Sequence, residues 1–163
     1  MKVIFLDVDG VLNQSRPIGD DYEFYLPNWV LPKAMEHLNI IIEQTGAKVV
    51  VSSTWRIGKK VVELREMFAE AGLKGDIIDK TDQLGCAAHD PLPCHAAHRG
   101  SEIADWLRQR EEDRGDVESF IILDDDSDMH PHKDRHVHTD LYRGLTRRKR
   151  DEAIKMLGRN KTA

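Results

Sequence analysis

Residues 2–12 read KVIFLDVDGVL, and this stretch decides the fold. Val3 to Leu6 is a short apolar run with two β-branched residues, closed off downstream by Asp-Gly. That predicts a buried strand running into a turn. Asp7 and Asp9 stand at its end. Residues i and i+2 of an extended segment point the same way, so both carboxylates can face one site. Two acids that close repel each other unless something compensates. The natural compensator is a hard cation with oxygen ligands, Mg²⁺ above all. Gly10 lets the chain turn sharply and lets a ligand approach the backbone.

Further along, the same arrangement recurs twice. Residues 48–51, KVVV, predict a second strand with Ser52, Ser53 and Thr54 at its end. Residues 119–123, SFIIL, predict another, delivering Asp124, Asp125 and Asp126. Helical spacing fills the gaps. One helix opens at Pro32, carries Met35, Leu38, Ile41 and Ile42, and stops at Gly46. A second runs from Gly58 to Ala71 with Val61, Leu64, Met67 and Phe68 as its apolar stripe. A short strand follows at 76–79. Ser101 caps a third helix bearing Ile103, Trp106 and Leu107, and His37 is read as a surface residue of the first. A short strand at 137–139 precedes a last helix, capped by Thr146 and ended by Gly158. Strands alternating with helices imply right-handed crossovers. The expected fold is an α/β, Rossmann-like three-layer sandwich with a mostly parallel central sheet. In such sheets ligands bind beyond the carboxyl ends of the strands. Three strands here deliver acids or hydroxyls to that edge, which points to chemistry rather than scaffolding.

Length and composition bound the class. A chain of 163 residues is enough for one domain with a real core. No run of about 18 apolar residues is present, so no membrane span is expected. The chain enters its first strand without a signal peptide, and two cysteines make no disulfide framework; a cytoplasmic setting is expected. The net charge of −5 argues against broad duplex binding, which rests on neutralising phosphates. It leaves open a single phosphorylated end. Residues 13–31 carry Tyr22, Phe24, Tyr25 and Trp29 among prolines and glycine, and read as a small flap over the strand ends.

Phosphoryl transfer needs a nucleophile, charge neutralisation and a proton for the leaving oxygen. Asp7 can be the nucleophile, forming an aspartyl-phosphate. Asp9 can protonate the leaving group and then deprotonate water. FLDVDGVL, VVVSSTWR, RGSEIADWL and FIILDDDSDM resemble, in that order, the four motifs of the haloacid-dehalogenase (HAD) superfamily. SSTWR and the tail HVHTDLYRGLT resemble its branch found in RNA-repair proteins. The resemblance implies Asp7 as nucleophile, Asp9 as acid/base, and the Asp9 carbonyl on Mg²⁺. It implies a phosphate contact from Ser52, with Ser53 the alternative. Arg99 would neutralise both nucleophile and transferred group, and Asp124 and Asp125 would join Asp7 and Asp9 around the metal, with Asp128 orienting water or backbone. Arg56 is read either as a phosphate contact or as a surface salt bridge. The space between the second and third motifs leaves no room for a large cap domain.

Residues 80–100 stand apart. Cys86, His89, Cys94 and His98, with His95 beside them, offer two thiolates and several imidazoles to a structural Zn²⁺; a polar loop facing substrate is the other reading. His130, His132, His136 and His138 form a second cluster, read as a solvated loop or a substrate contact. Arg147, Arg148, Lys149 and Arg150 open the last helix, where cations oppose the helix dipole. A polyanionic ligand would offset that, as would solvent. The expectation is thus one HAD-like domain over 1–163, a Mg²⁺-dependent phosphomonoesterase acting on a nucleotide or nucleic-acid end. A non-catalytic phosphate-binding module, or a phosphatase of a small metabolite or phosphoprotein, is the alternative.

Overall fold

The computed structural model describes residues 1–18, 21–24, 30–84, 98–113 and 117–158. The strands and helices alternate as β1 (Lys2–Leu6), β2 (Ser15–Ile18), β3 (Asp21–Phe24), α1 (Pro32–Thr45), β4 (Lys48–Val51), α2 (Val61–Glu70), β5 (Ile77–Lys80), α3 (Arg99–Asp113), β6 (Ser119–Asp124), β7 (His136–His138) and α4 (Arg147–Leu157). Five strands form one parallel sheet in the order β5-β4-β1-β6-β7. β1 is central because its residues are apolar on both sides: Val3, Ile4, Phe5 and Leu6 are all fully buried. The chain steps outward from β1 through β4 to β5, then crosses back to β6 and β7. The order therefore reverses at β1, and the crevice at such a switch point is where ligands bind.

Alternation along the strands divides the core in two. Ile4 and Leu6 of β1, with Val49, Val51, Ile121 and Leu123, pack under α1, α2 and α4. Val3 and Phe5, with Val50, Phe120 and Ile122, meet Ile103 and Trp106 of α3. Phe5 contacts Trp106 and Phe120 edge-on, with centroids 5.3 and 5.8 Å apart. Asp7 continues the odd-numbered set of β1, so the turn of the pleat aims it toward the α3 face.

One local expectation gains detail and three are corrected. The flap carries its own order: β2 and β3 pair antiparallel in a separate two-stranded sheet. The second helix begins later than Gly58, because Thr54–Arg56 first make a 3₁₀ turn capped by Ser53. α3 begins at Arg99, so Ser101 lies inside its first turn rather than at its cap. His37 is buried, since α1 is covered by α4 on the side where Arg150 lies. Thr146 does cap α4, accepting the Lys149 N–H. No described helix is long and apolar enough to cross a membrane.

Candidate active site

The end of β1 is tied to both neighbours by the backbone. Ser52 and Ser53 donate their N–H groups to the Leu6 carbonyl at 3.0 and 3.2 Å, and Asp7 N–H donates to Leu123 O at 3.0 Å. Three strand ends are thereby drawn to one edge, where the carboxylates of Asp7, Asp124 and Asp125 converge. Their oxygens lie within 4.8 Å of one another.

Asp7 and Asp124 are buried, at 6 and 1% exposure. Burial pushes the Asp7 carboxyl up to about 6, opposed by Arg99 and by a hydrogen bond from the Ser53 hydroxyl; Asp9 and Asp125 push it further up. Burial, and then the Asp7 charge, pushes Asp124 up to about 8. Burial and Asp126 raise Asp125. Arg99 reaches both buried acids, with NH2 3.5 Å from Asp7 Oδ1 and Nε 3.5 Å from Asp124 Oδ2. One guanidinium does not neutralise three carboxylates. The arrangement asks for another cation, and the donor set fits a hard divalent one. Asp124 Oδ2 is buried with no hydrogen-bond partner, as are Arg99 NH1 and Ser52 Oγ. Gly10 is part of the fit. Its φ is +67°, and a Cβ there would overlap the Asp125 carboxylate.

The loop after β6 also builds the start of α3. Asp128 accepts the Arg99 N–H on its carboxylate at 2.9 Å, and its carbonyl accepts from Gly100 N–H at 3.1 Å. A Cβ on Gly100 would collide with the backbone of Met129 and His130. Arg99 is thus held in place by the acids' own loop. Asp126 is exposed, and its N–H donates to Asp124 Oδ1.

Several sequence-predicted residues lie elsewhere than expected. The Ser53 hydroxyl lowers the Asp7 carboxyl, while Ser52 follows Val50 on the α3 face that Asp7 also faces, its Oγ buried with no hydrogen-bond partner. Arg56 is not a surface residue. It is 3% exposed, and all five of its donors are engaged: Nε with Thr81 O, NH1 with the Ser52 and Ser53 carbonyls, NH2 with Asp82 O and Glu102 Oε2 at 2.7 Å. No donor is left for a phosphate, so Arg56 is a clamp joining the β4 and β5 ends to α3 rather than a substrate contact. Cys86, His89, Cys94 and His95 lie outside the described residues; His98 is exposed, 3.8 Å from Asp128.

The histidines read as a solvated loop or a substrate contact include two with a bracing role that was missed, and two further residues were missed outright. His136 and His138 donate Nε2–H to the carbonyls of Asp124 and Asp125 at 2.9 and 2.7 Å, bracing the acid loop from β7. Trp55 and Asn13 both donate to Asp9. Asn13 lies only three and four residues after Gly10 and Asp9, so its contacts are local ones within the turn after β1. Trp55 and the histidines carried no sequence signal, since their contacts join distant segments.

The sequence finds no match among curated proteins or solved structures. A family model does match, over residues 3–149, described as the HAD domain in Swiss Army Knife RNA repair proteins. That span takes in β1 with its two acids, the Ser52–Arg56 turn, the Arg99 helix start and the β6 acid loop. The chain belongs to the HAD superfamily, in the branch of domains found in Swiss Army Knife RNA repair proteins.

Proposed function

We propose that this chain is a Mg²⁺-dependent phosphomonoesterase that works through an aspartyl-phosphate on Asp7 and acts on nucleic-acid terminal phosphates. The observation that carries the reading is the convergence of buried Asp7 and Asp124 and half-buried Asp125 against Arg99 at the switch point of the sheet. Asp7, Asp124 and Asp125 would hold Mg²⁺, with the Asp9 carbonyl. Bound there, the ion supplies neutralising charge for the carboxylates and the phosphoryl oxygens.

Asp7 attacks phosphorus in line while the ester oxygen leaves. Arg99 offers NH1, which has no protein partner, to the phosphoryl group; its planar fork suits phosphate. Ser52 supplies the hydroxyl contact, its Oγ being buried without a protein partner, and Ser53, beside Asp7, is the alternative. Asp9 gives its proton to the leaving oxygen. It then takes one from the water that attacks phosphorus and releases Asp7, so phosphate departs and both acids return to their starting state.

A nucleic-acid end is favoured over a small metabolite by two features. Among the described residues the only addition to the three layers is the β2–β3 hairpin, and none of them forms a second domain over the strand ends. At the start of α4, Lys149 and Arg150 are paired with Glu152 and Asp151, while Arg147 and Arg148 stand exposed. The family's occurrence in RNA repair proteins agrees with such a substrate. The test is phosphate release from 3′- and 5′-phosphorylated oligoribonucleotides and from matching mononucleotides, with Mg²⁺ and with EDTA. The expected result is Mg²⁺-dependent release with higher kcat/KM on oligonucleotides, an advantage that shrinks with salt. No release from any phosphate ester in Mg²⁺ overturns the phosphatase reading; equal or better activity on mononucleotides overturns the substrate class.

A further inference from the structure

Asp9 is held differently from the other acids of the site. No ion pair reaches it among the described residues. Instead both of its oxygens accept from neutral donors, Oδ2 from Trp55 Nε1–H at 2.9 Å and Oδ1 from Asn13 Nδ2–H at 2.7 Å. Each donor is fixed in turn. Asn13 is 9% exposed, and its Oδ1 accepts the Gly10 N–H at 3.0 Å. That bond determines the amide's orientation, because only the other end can then donate to Asp9. Trp55 sits in the 3₁₀ turn that follows β4. Its backbone N–H donates to Ser53 Oγ at 3.3 Å, and its ring packs against the core under α1 and α2. The same turn is tied to Leu6 by the Ser52 and Ser53 N–H groups. Two rigid loops thus converge on one carboxyl group.

We propose that Trp55 and Asn13 are positioning residues that aim the Asp9 carboxyl group at the leaving oxygen of the substrate. This rests on the reading of Asp9 as proton donor. As the ester O–P bond breaks and the Asp7–P bond forms, the leaving oxygen takes the Asp9 proton and Asp9 is left as a carboxylate. A carboxylate accepts from N–H groups more strongly than a carboxylic acid does. Both hydrogen bonds therefore strengthen as the proton departs. Interactions that strengthen toward the transition state raise the rate rather than only the affinity. A neutral pair of donors does this without adding a cation that would compete with Arg99 for the phosphate.

A purely structural Trp55 would affect all substrates alike, so the discriminating readout is dependence on the leaving group. The quantity is kcat/KM, which covers the steps up to leaving-group departure. It is measured on p-nitrophenyl phosphate, whose phenolate leaves without much help from an acid, and on an alkyl phosphate, whose alkoxide needs a proton. Trp55→Phe should lower kcat/KM on the alkyl ester about tenfold more than on the aryl ester, a part of the full effect of an acid. A benzothiophene isostere of the indole at position 55 keeps the bicycle and lacks the N–H. It should give the same selective loss, which guards against a folding defect in Trp55→Phe. Asn13→Ala should act in the same direction. Asp9→Asn sets the reference. A loss in Asp9→Asn that is equal on both esters overturns Asp9 as the proton donor. A selective loss in Asp9→Asn, with an equal loss or none in both position-55 variants, overturns the positioning role alone.

Discussion

Two regions of the molecule compete for attention, and they differ in kind. Beneath α1 and the end of α2 lies a hollow of about 920 Å³, lined by Met35, Asn39, Ile42, Glu70, Gly72 and Lys74. At the ends of β1, β4 and β6 two buried carboxylates, a half-buried third and a guanidinium are packed together. The hollow's charged residues, such as Glu36 and Glu43, face water. Those of the strand edge mostly do not, and they retain buried atoms with no partner. Burying a charge is costly unless it is paired, so evolution keeps such a cluster only where something uses it. Room alone does not mark a site; unspent electrostatics does.

The comparison breaks most sharply at the nucleophile. Asp7→Asn should reduce phosphatase activity by about a thousandfold or more, with the fold retained, because a carboxamide cannot form the acyl-phosphate. Steady-state assays together with circular dichroism check this. Near-normal turnover would remove the strand edge from consideration.

The next effect is on stability. Arg56 and Glu102 form a buried pair whose side chains are 3 and 8% exposed. Arg56→Met should cost about 3–5 kcal/mol in denaturant unfolding, because it leaves Glu102 and four backbone carbonyls without their donors. A loss below about 1 kcal/mol would mean the clamp between α3 and the two strand ends is dispensable.

A smaller effect follows from the raised acids. Asp7 lies near 6 and Asp124 near 8 in the folded chain, against 3.8 when unperturbed. Between about pH 4 and pH 8 the folded state then binds more protons than the unfolded state. Their contribution is fully present below the unfolded value and is lost as pH rises through the folded values. In EDTA the melting temperature should therefore fall from pH 5 to pH 8, beyond any change seen in Asp124→Asn. Mg²⁺ pairs with the ionised form and should raise the melting temperature more at pH 8 than at pH 5. A Mg²⁺ effect independent of pH would contradict this origin.

The smallest effect belongs to the hollow. Asn39 donates to Gly72 O at 2.9 Å and accepts from Lys74 N–H at 2.8 Å, stapling α1 to the loop after α2. Asn39→Ala should cost about 1 kcal/mol of stability and leave kcat/KM within experimental scatter. A large loss of activity would show that the hollow is not the passive region of this comparison.

Much of this was legible in the sequence because it rests on local periodicity. The apolar runs in KVIFL and SFIIL placed β1 and β6, and the acids that follow them marked the edge. The apolar spacing of Met35, Leu38 and Ile41 placed α1. What escaped was tertiary. Arg56 looks like a free cation in SSTWR, yet its partner Glu102 is 46 residues away. Trp55 is likewise 46 residues from Asp9. Neither distance leaves a period or a composition to read. The Ser52 and Ser53 alternatives depend on the β1–β4 register, which a single strand does not carry, since one residue of register reverses the face. The Gly19-Asp20 pair between β2 and β3 is a hairpin signal that went unread, because Pro17 and the aromatics around it suggested an irregular flap.

The central claim is a covalent bond from Asp7 to phosphorus, and trapping it is the most direct test. The protein is mixed rapidly with a phosphorylated oligoribonucleotide and Mg²⁺, quenched in acid and reduced with borohydride. Peptide mass spectrometry then reads the segment spanning residues 2–12. Reduction of an aspartyl-phosphate leaves homoserine, so the account predicts homoserine at position 7 in the wild-type chain and none in Asp7→Asn. Turnover under these conditions with Asp7 unmodified, or with the label on Asp124, would contradict it.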